Sequence, residues 1–149
     1  MYRHILVPTD GSALSLKAAK EAAQLAKSQK ARITAFYAIP PYTTPPYGES
    51  LIVAPELFSE GEYRKQTEKH AKAALAKVEA EVRKEGVACD AEFVTSDAPW
   101  RGIIDAAKAK KCDLIVMASH GRRGLEGLLL GSETLKVLTH SKTPVLVCR

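Results

Sequence analysis

Residues 117–134 hold the densest group of side chains and backbone amides in this chain that could bind a ligand. Glycines recur at three-residue spacing from Gly121 to Gly127, and Gly131-Ser132 precedes a helical pattern. A glycine-rich loop can bring several backbone N–H groups near one anion, and a helix N-terminus adds unpaired N–H groups and a positive dipole end. These features predict a phosphate-binding segment.

The common phosphate and catalytic motifs do not account for this segment. A P-loop needs a Gly-Lys pair, and none occurs in the chain. The glycine spacing and the late position also exclude the dinucleotide fingerprint, and neither GxSxG nor HExxH is present. The three cysteines form no CxxC pair, so a zinc site is not expected. Arg122 and Arg123 add positive charge, either to the ligand region or to the solvated surface.

Short apolar runs predict the strands that position this segment. Residues 5–7, 114–117 and 145–147 are uninterrupted and rich in β-branched side chains, which is typical of parallel strands covered on both faces. Residues 32–39 form another candidate strand. Residues 91–95 alternate between apolar and polar side chains, which predicts an edge strand.

Helical periodicity between these runs completes the pattern. The predicted order is β1 (3–9), α1 (13–30), β2 (32–39), α2 (about 56–85), β3 (88–95), α3 (98–110), β4 (112–118), α4 (132–141) and β5 (143–149). Ser96 or Asp97 is the predicted start signal of α3, with Pro99 in its first turn, and Ser132 is the predicted cap of α4. Gly86 is predicted to end α2. Regular alternation of strands and helices predicts a doubly wound α/β fold with a parallel sheet.

Length and composition indicate one ordinary globular domain over residues 1–149. The chain is 46% hydrophobic and 26% charged, with a net charge of +5. Its first apolar run is too short for a signal peptide and no segment is long enough to span a membrane, so we expect a cytoplasmic protein without a membrane partner.

Cys112 and Cys148 are expected to be buried thiols. Residues 40–54, rich in Pro and Tyr, are either a variable surface loop or else a lid or partner contact.

The phosphate-binding segment resembles the motif of the universal stress protein family. Nucleotide-binding members of that family carry G-x2-G-x9-G-[ST] after the fourth strand, and the matching residues here are Ala118-Ser119-His120-Gly121 and, nine residues later, Gly131-Ser132. Residues 5–12 are similar to the family's first strand and turn, and residues 143–147 are similar to its last strand. The resemblance implies a five-stranded sheet in the order 3-2-1-4-5, with helices on both faces.

The resemblance also implies a ligand, which is ATP with or without Mg²⁺, lying across the carboxyl ends of β1 and β4. The implied nucleotide-binding residues are Pro8, Thr9, Asp10, Ala38, Met117, Ala118, His120, Gly121, Gly131, Ser132, Glu133 and Thr134. Those before residue 40 would border the adenine and ribose, those of 117–121 would pass under the ribose and α-phosphate, and those of 131–134 would meet the phosphates. A homodimer through residues 143–149 is implied as well.

Three residues of this set have a second possible role or an unusual side chain. Ala118 replaces the first glycine of the motif, and its methyl costs little in β geometry but about 1 kcal/mol or more in a left-handed conformation. Asp10 could contact the ligand, or it could cap α1 or close the turn after β1. Glu133 suits the positive end of a helix but would repel a triphosphate.

Together these observations favour an adenine-nucleotide-binding regulatory module of the stress response. One alternative is a slow ATP hydrolase in which Asp10 or Glu133 holds Mg²⁺ and Arg122 offsets charge. The other is an interaction protein that has the same fold and binds no nucleotide. Nucleic-acid binding is not expected, because the basic residues are scattered among acidic ones.

Overall fold

Strands and helices alternate along the parts of the chain that the computed structural model describes, residues 1–43, 59–121 and 130–149. The elements are β1 (His4–Pro8), α1 (Ala13–Gln29), β2 (Arg32–Ile39), α2 (Glu60–Lys84), β3 (Cys89–Thr95), α3 (Pro99–Ala109), β4 (Leu114–Ala118), α4 (Ser132–His140) and β5 (Val145–Cys148). The five strands form one sheet in the order β3-β2-β1-β4-β5, and every neighbouring pair is parallel. The predicted fold class and strand order are confirmed.

The two central strands are buried along their whole length. Every residue of β1 and β4 is buried, because helices cover both faces of the sheet. Ile5, Val7 and Val116 face a core closed by α1 and α2. Leu6 and Ile115 face a second core, closed by α3 and α4. The uninterrupted apolar runs follow from this two-sided burial. β3 lies at one edge of the sheet, as its alternating pattern predicts.

Local capping groups set the ends of α1 and α2. Ser12 and Ser59 are the N-caps, and each side chain accepts a hydrogen bond from the backbone N–H three residues later. Gly86 follows α2 with φ of 72°, a conformation that glycine adopts without strain, and the predicted end of that helix is confirmed.

The predicted start signal of α3 is wrong. Its N-cap is Ala98, which makes no side-chain capping bond, and Pro99 is the first helical residue. Ser96 instead closes the preceding turn, since its hydroxyl oxygen accepts from the backbone N–H of Ala98 at 3.3 Å. The first N–H group of α3, that of Trp100, has its acceptor in another helix.

Two cysteines are buried, as predicted. Cys112 and Cys148 are 7% and 4% exposed. Burial raises the pKa of Cys112 to about 11 and that of Cys148 to about 12, where the neighbouring Glu21 carboxylate acts in the same direction. Both groups are therefore thiols at neutral pH.

In the described ranges, no helix combines the length and apolar character needed to cross a bilayer. Residues 44–54 of the Pro/Tyr-rich segment lie outside those ranges.

A buried histidine joins three elements at the end of the sheet where β1 begins. His4 Nδ1 lies 3.0 Å from the carbonyl oxygen of Lys110, so this nitrogen must be the donor. Its Nε2 lies 2.8 Å from the hydroxyl of Thr34 and accepts from it when the ring is neutral. Burial lowers the pKa of His4, and the positive charge of Arg32 lowers it further, against the opposing effect of the Asp113 and Asp90 carboxylates.

This pKa shift predicts a pH dependence of stability. Because the folded state holds the His4 ring neutral, the unfolded chain binds more protons near its ordinary pKa of about 6.5, and stability falls as the pH drops below that value. We expect the free energy of unfolding to fall more steeply between about pH 7.5 and about pH 5 in the wild type than in His4→Gln, by at most about 1.4 kcal/mol per pH unit. Urea unfolding followed by circular dichroism measures both slopes, and equal slopes would contradict the assignment.

Candidate functional site

Two hydrogen bonds fix the start of α4 against the end of β4. The backbone N–H of Gly131 donates to the carbonyl of Ser119 at 2.7 Å. The hydroxyl of Thr134 donates to the carbonyl of Ala118 at 3.0 Å. Ser119 in turn donates its backbone N–H to Cys148 in β5 at 2.8 Å. The helix N-terminus is therefore held at the carboxyl edge of the sheet, where ligands bind in open α/β folds.

The N-cap of α4 is Gly131, so the prediction of Ser132 as the cap is wrong. Gly131 is extended, with φ of −72° and ψ of 157°, and Ser132 is the first helical residue. A Cβ at Gly131 would lie 3.1 Å from Cα of His120, closer than an ordinary van der Waals contact, so glycine suits the close passage of these two backbone segments. Ser132 is exposed.

The first backbone amides of α4 belong to the turn that is attached to the end of β4. The first main-chain hydrogen bond of α4 is donated by the N–H of Leu135 to the carbonyl of the N-cap, Gly131, at 3.0 Å. The amides of Ser132, Glu133 and Thr134 come before that bond, in the turn where a helix leaves its N–H groups without intrahelical acceptors. Such a row of donors with the positive end of the helix dipole suits an anion such as phosphate.

The turn after β1 lies against the same region. One carboxylate oxygen of Asp10, Oδ1, accepts from the backbone N–H of Ser12 at 2.9 Å. The other, Oδ2, would lie 2.6 Å from a Cβ built at Gly121. Asp10 thus closes the β1 turn, one of its two structural interpretations, while Ser12 rather than Asp10 caps α1. The absent side chain at Gly121 is what lets the Asp10 carboxylate approach the segment after β4.

Two buried hydroxyl groups, those of Thr9 and Ser15, stabilise this turn. The Thr9 hydroxyl lies 2.9 Å from that of Ser15 and accepts from the backbone N–H of Gly11 at 3.1 Å. The Ser15 hydroxyl donates to the Ser12 carbonyl at 2.8 Å. Gly11 has φ of 81°, which completes a turn that few other residues would adopt. Ser12 and Ser15 were not among the predicted site residues, although a serine before an apolar helical pattern is a recognisable N-cap signal.

The remaining predicted residues line the same edge or lie under it. Pro8 is the last residue of β1, and Ala38 is half-buried near the end of the adjacent β2. Met117 is buried in the α3/α4 core. His120 follows β4, with Nδ1 3.2 Å from the hydroxyl of Ser119. Arg122, Arg123, Gly124 and Gly127 lie outside the described residues.

The two unusual residues of the motif have their side chains elsewhere. Ala118 ends β4 in register with Cys148 and has no positive φ, so its methyl lies in the α1/α2 core and not in a strained backbone position. The Glu133 carboxylate points to α3, where its Oε2 accepts from the backbone N–H of Trp100 at 2.9 Å. Within the described ranges, no three His, Cys, Asp or Glu side chains cluster closely enough to hold a metal ion.

The fold and this site define a class: doubly wound α/β proteins with an anion-suited helix N-terminus where the central strands end. The chain belongs to the universal stress protein family, which it matches over residues 1–149. It is 36% identical over 152 residues to universal stress protein MJ0531 of Methanocaldococcus jannaschii, an alignment that covers 100% of this chain and 83% of that protein.

Solved structures show the same fold. Universal stress protein UspA from Lactobacillus plantarum superposes with a TM-score of 0.81 at 27% identity, covering 99% of this chain and 98% of that one. A universal stress protein in complex with cAMP superposes with a TM-score of 0.71 at 29% identity, covering 99% and 97% of the two chains.

The site geometry predicts that a side chain at Gly131 is destabilising. In Gly131→Ala the new methyl would lie 3.1 Å from Cα of His120, so the backbone of one of the two segments must shift. We expect a loss of about 1–3 kcal/mol in the free energy of unfolding. Gly61→Ala in α2 is the control, since its Cβ would meet open space, and this variant should be neutral or more stable. Equal stability of both variants in urea titrations would contradict the close approach.

Proposed function

We propose that this protein is a regulatory module that binds an adenine nucleotide, with the phosphates at the first turn of α4. The observation that carries the proposal is the position of the amides of residues 132–134 in the first turn of α4, which two hydrogen bonds hold at the carboxyl end of β4, the neighbour of β1 in the sheet. Phosphate oxygens accept hydrogen bonds from such amides, and the helix dipole adds an attractive field.

The remaining chemistry of the site is consistent with a nucleoside. The half-exposed Asp10 carboxylate offers an acceptor for ribose hydroxyl groups at the end of β1. Ala38 is half-buried near the end of β2, and its small apolar side chain would border the base. The related universal stress protein in complex with cAMP, at 29% identity, supports an adenine nucleotide as the ligand class. Mg²⁺ would enter with the triphosphate.

The amides make a sharp test possible, because proline removes one of them without breaking the helix. Proline suits the first helical position, and α3 already begins in that way with Pro99. Gly131 is extended, which is the conformation that a following proline requires. Ser132→Pro should therefore fold as the wild type does and lack one donor to phosphate. Ser132→Ala, which keeps the amide and loses only the hydroxyl, is the matched control.

We expect isothermal calorimetry with Mg·ATP to give a wild-type Kd in the micromolar range or tighter. Ser132→Pro should weaken binding by about tenfold or more relative to Ser132→Ala, since a charge-assisted hydrogen bond contributes about 1.5–3 kcal/mol. Thermal unfolding without ligand checks that the two variants are equally stable. The proposal fails if the wild type gives no heat at about millimolar nucleotide. Phosphate release by the same samples, lost in Asp10→Ala, would identify a slow hydrolase instead.

The proposed module acts as a homodimer through residues 143–149. The carbonyls of Pro144 and Cys148 accept from β4, so Val145 and Val147, which alternate with them, direct their N–H and C=O groups away from the sheet. Leu146 is 43% exposed. An exposed, apolar edge strand of this kind is a template for pairing with a second strand.

Val147→Pro tests this edge. Proline removes an outward N–H group and leaves the bonds between β5 and β4 in place, so the fold should survive while strand pairing between protomers is lost. In sedimentation velocity we expect the wild type at twice the monomer mass and the variant at the monomer mass. Val147→Ala keeps the N–H group and should remain dimeric. A wild type that sediments as a monomer at all concentrations would contradict the dimer.

A further inference from the structure

The side chain of Glu133 joins the first turns of two helices. Its backbone lies in the first turn of α4, among the amides proposed to meet phosphate. Its Oε2 accepts from the backbone N–H of Trp100 in α3 at 2.9 Å, and its Oε1 accepts from Lys136 Nζ at 3.1 Å. One residue therefore touches the ligand region with its main chain and a neighbouring helix with its carboxylate.

The start of α3 depends on this carboxylate. Its N-cap, Ala98, has no side-chain acceptor, and Pro99 has no N–H group. The N–H of Trp100 is thus the first amide of α3 that needs a partner, and a carboxylate at the positive end of the helix is a favourable one. Because α1 and α2 are capped by serines of their own, removal of Glu133 should affect α3 specifically.

Trp100 links both ends of α4 to the start of α3. Its ring centroid lies 4.7 Å from that of His140, the last residue of α4. The guanidinium of Arg101 lies 5.1 Å from the same indole. The indole is half-buried against the α3/α4 core. Trp100 is the single tryptophan of the chain, so its fluorescence reports on this one position.

We infer that Glu133 is a positioning residue that transmits occupancy of the phosphate region to α3 and to the Trp100 surface. This inference rests on the proposed function. A phosphate at the amides of α4 draws the first turn toward itself and repels the Glu133 carboxylate toward α3. The bond to Trp100 then changes together with the packing of its indole. Because repulsion grows with ligand charge, the effect of ATP exceeds that of AMP.

The experiment follows Trp100 fluorescence during titration with Mg·ATP, with calorimetry on the same samples. In the wild type we expect a fluorescence change that saturates with the calorimetric binding curve. In Glu133→Ala the amplitude at saturating ATP should fall to less than about a third, whatever the affinity of this variant. Lys136→Met removes the other contact of the carboxylate, and Glu62→Gln neutralises a first-turn carboxylate of α2. Both controls should keep the wild-type amplitude.

Hydrogen exchange provides a readout without ligand. The Trp100 amide should exchange about tenfold faster in Glu133→Ala than in the wild type, as expected for loss of a charge-assisted bond, and Lys136→Met should leave it protected. If Glu133→Ala does not fold, Glu133→Gln preserves the shape and should give an intermediate amplitude.

The outcomes separate the two proposals. Equal fluorescence amplitudes in the wild type and Glu133→Ala, with ATP bound to both, would overturn the coupling and leave the proposed function intact. A wild type that binds ATP without any fluorescence change would do the same. The absence of binding by AMP, ADP and ATP alike would overturn both proposals together.

Discussion

The attachment of α4 to the end of β4 is the constraint on which the candidate site depends. Two carbonyl groups at the end of that strand, those of Ala118 and Ser119, are buried and need donors. Thr134 and Gly131 supply them. A buried carbonyl left without a donor costs about 1–3 kcal/mol of folding free energy. Separation of the helix start from the sheet is therefore unfavourable. The hydroxyl of Thr134, which the family resemblance assigns to phosphate, therefore serves the attachment.

The β1 side of the site depends on a complementary constraint, the absence of a side chain at Gly121. Asp10 is held by the backbone N–H of Ser12, and its second oxygen occupies the space that a Cβ at Gly121 would need. Thr9 and Ser15 fix the same turn from the buried side. Because β1 and β4 are adjacent and parallel, these two segments end side by side, and the site is a direct product of the strand order.

The sequence predicts the elements of this fold well, because their signals are local. Uninterrupted apolar runs identify the central strands, and alternation in residues 91–95 identifies the edge strand β3. The capping groups of α3 and α4 are not predictable in this way. Gly131 rather than Ser132 is the N-cap of α4, and it lies in close contact with His120 from a different segment. The capping groups of α3 and α4 depend on contacts between distant parts of the chain. The spacing of residues within one element carries no information about such contacts.

The two residues that make the phosphate motif unusual illustrate the same point. Judged by residue type alone, the methyl of Ala118 narrows the approach to a ligand, and the carboxylate of Glu133 repels one. In the fold, β4 directs the methyl into the α1/α2 core, and α3 draws the carboxylate to the amide of Trp100. The methyl of Ala118 then lies away from the amides of α4, and the carboxylate of Glu133 is held on the α3 side of its helix. Side-chain direction, which the packing of neighbouring elements sets, decides whether a substituted motif can still bind.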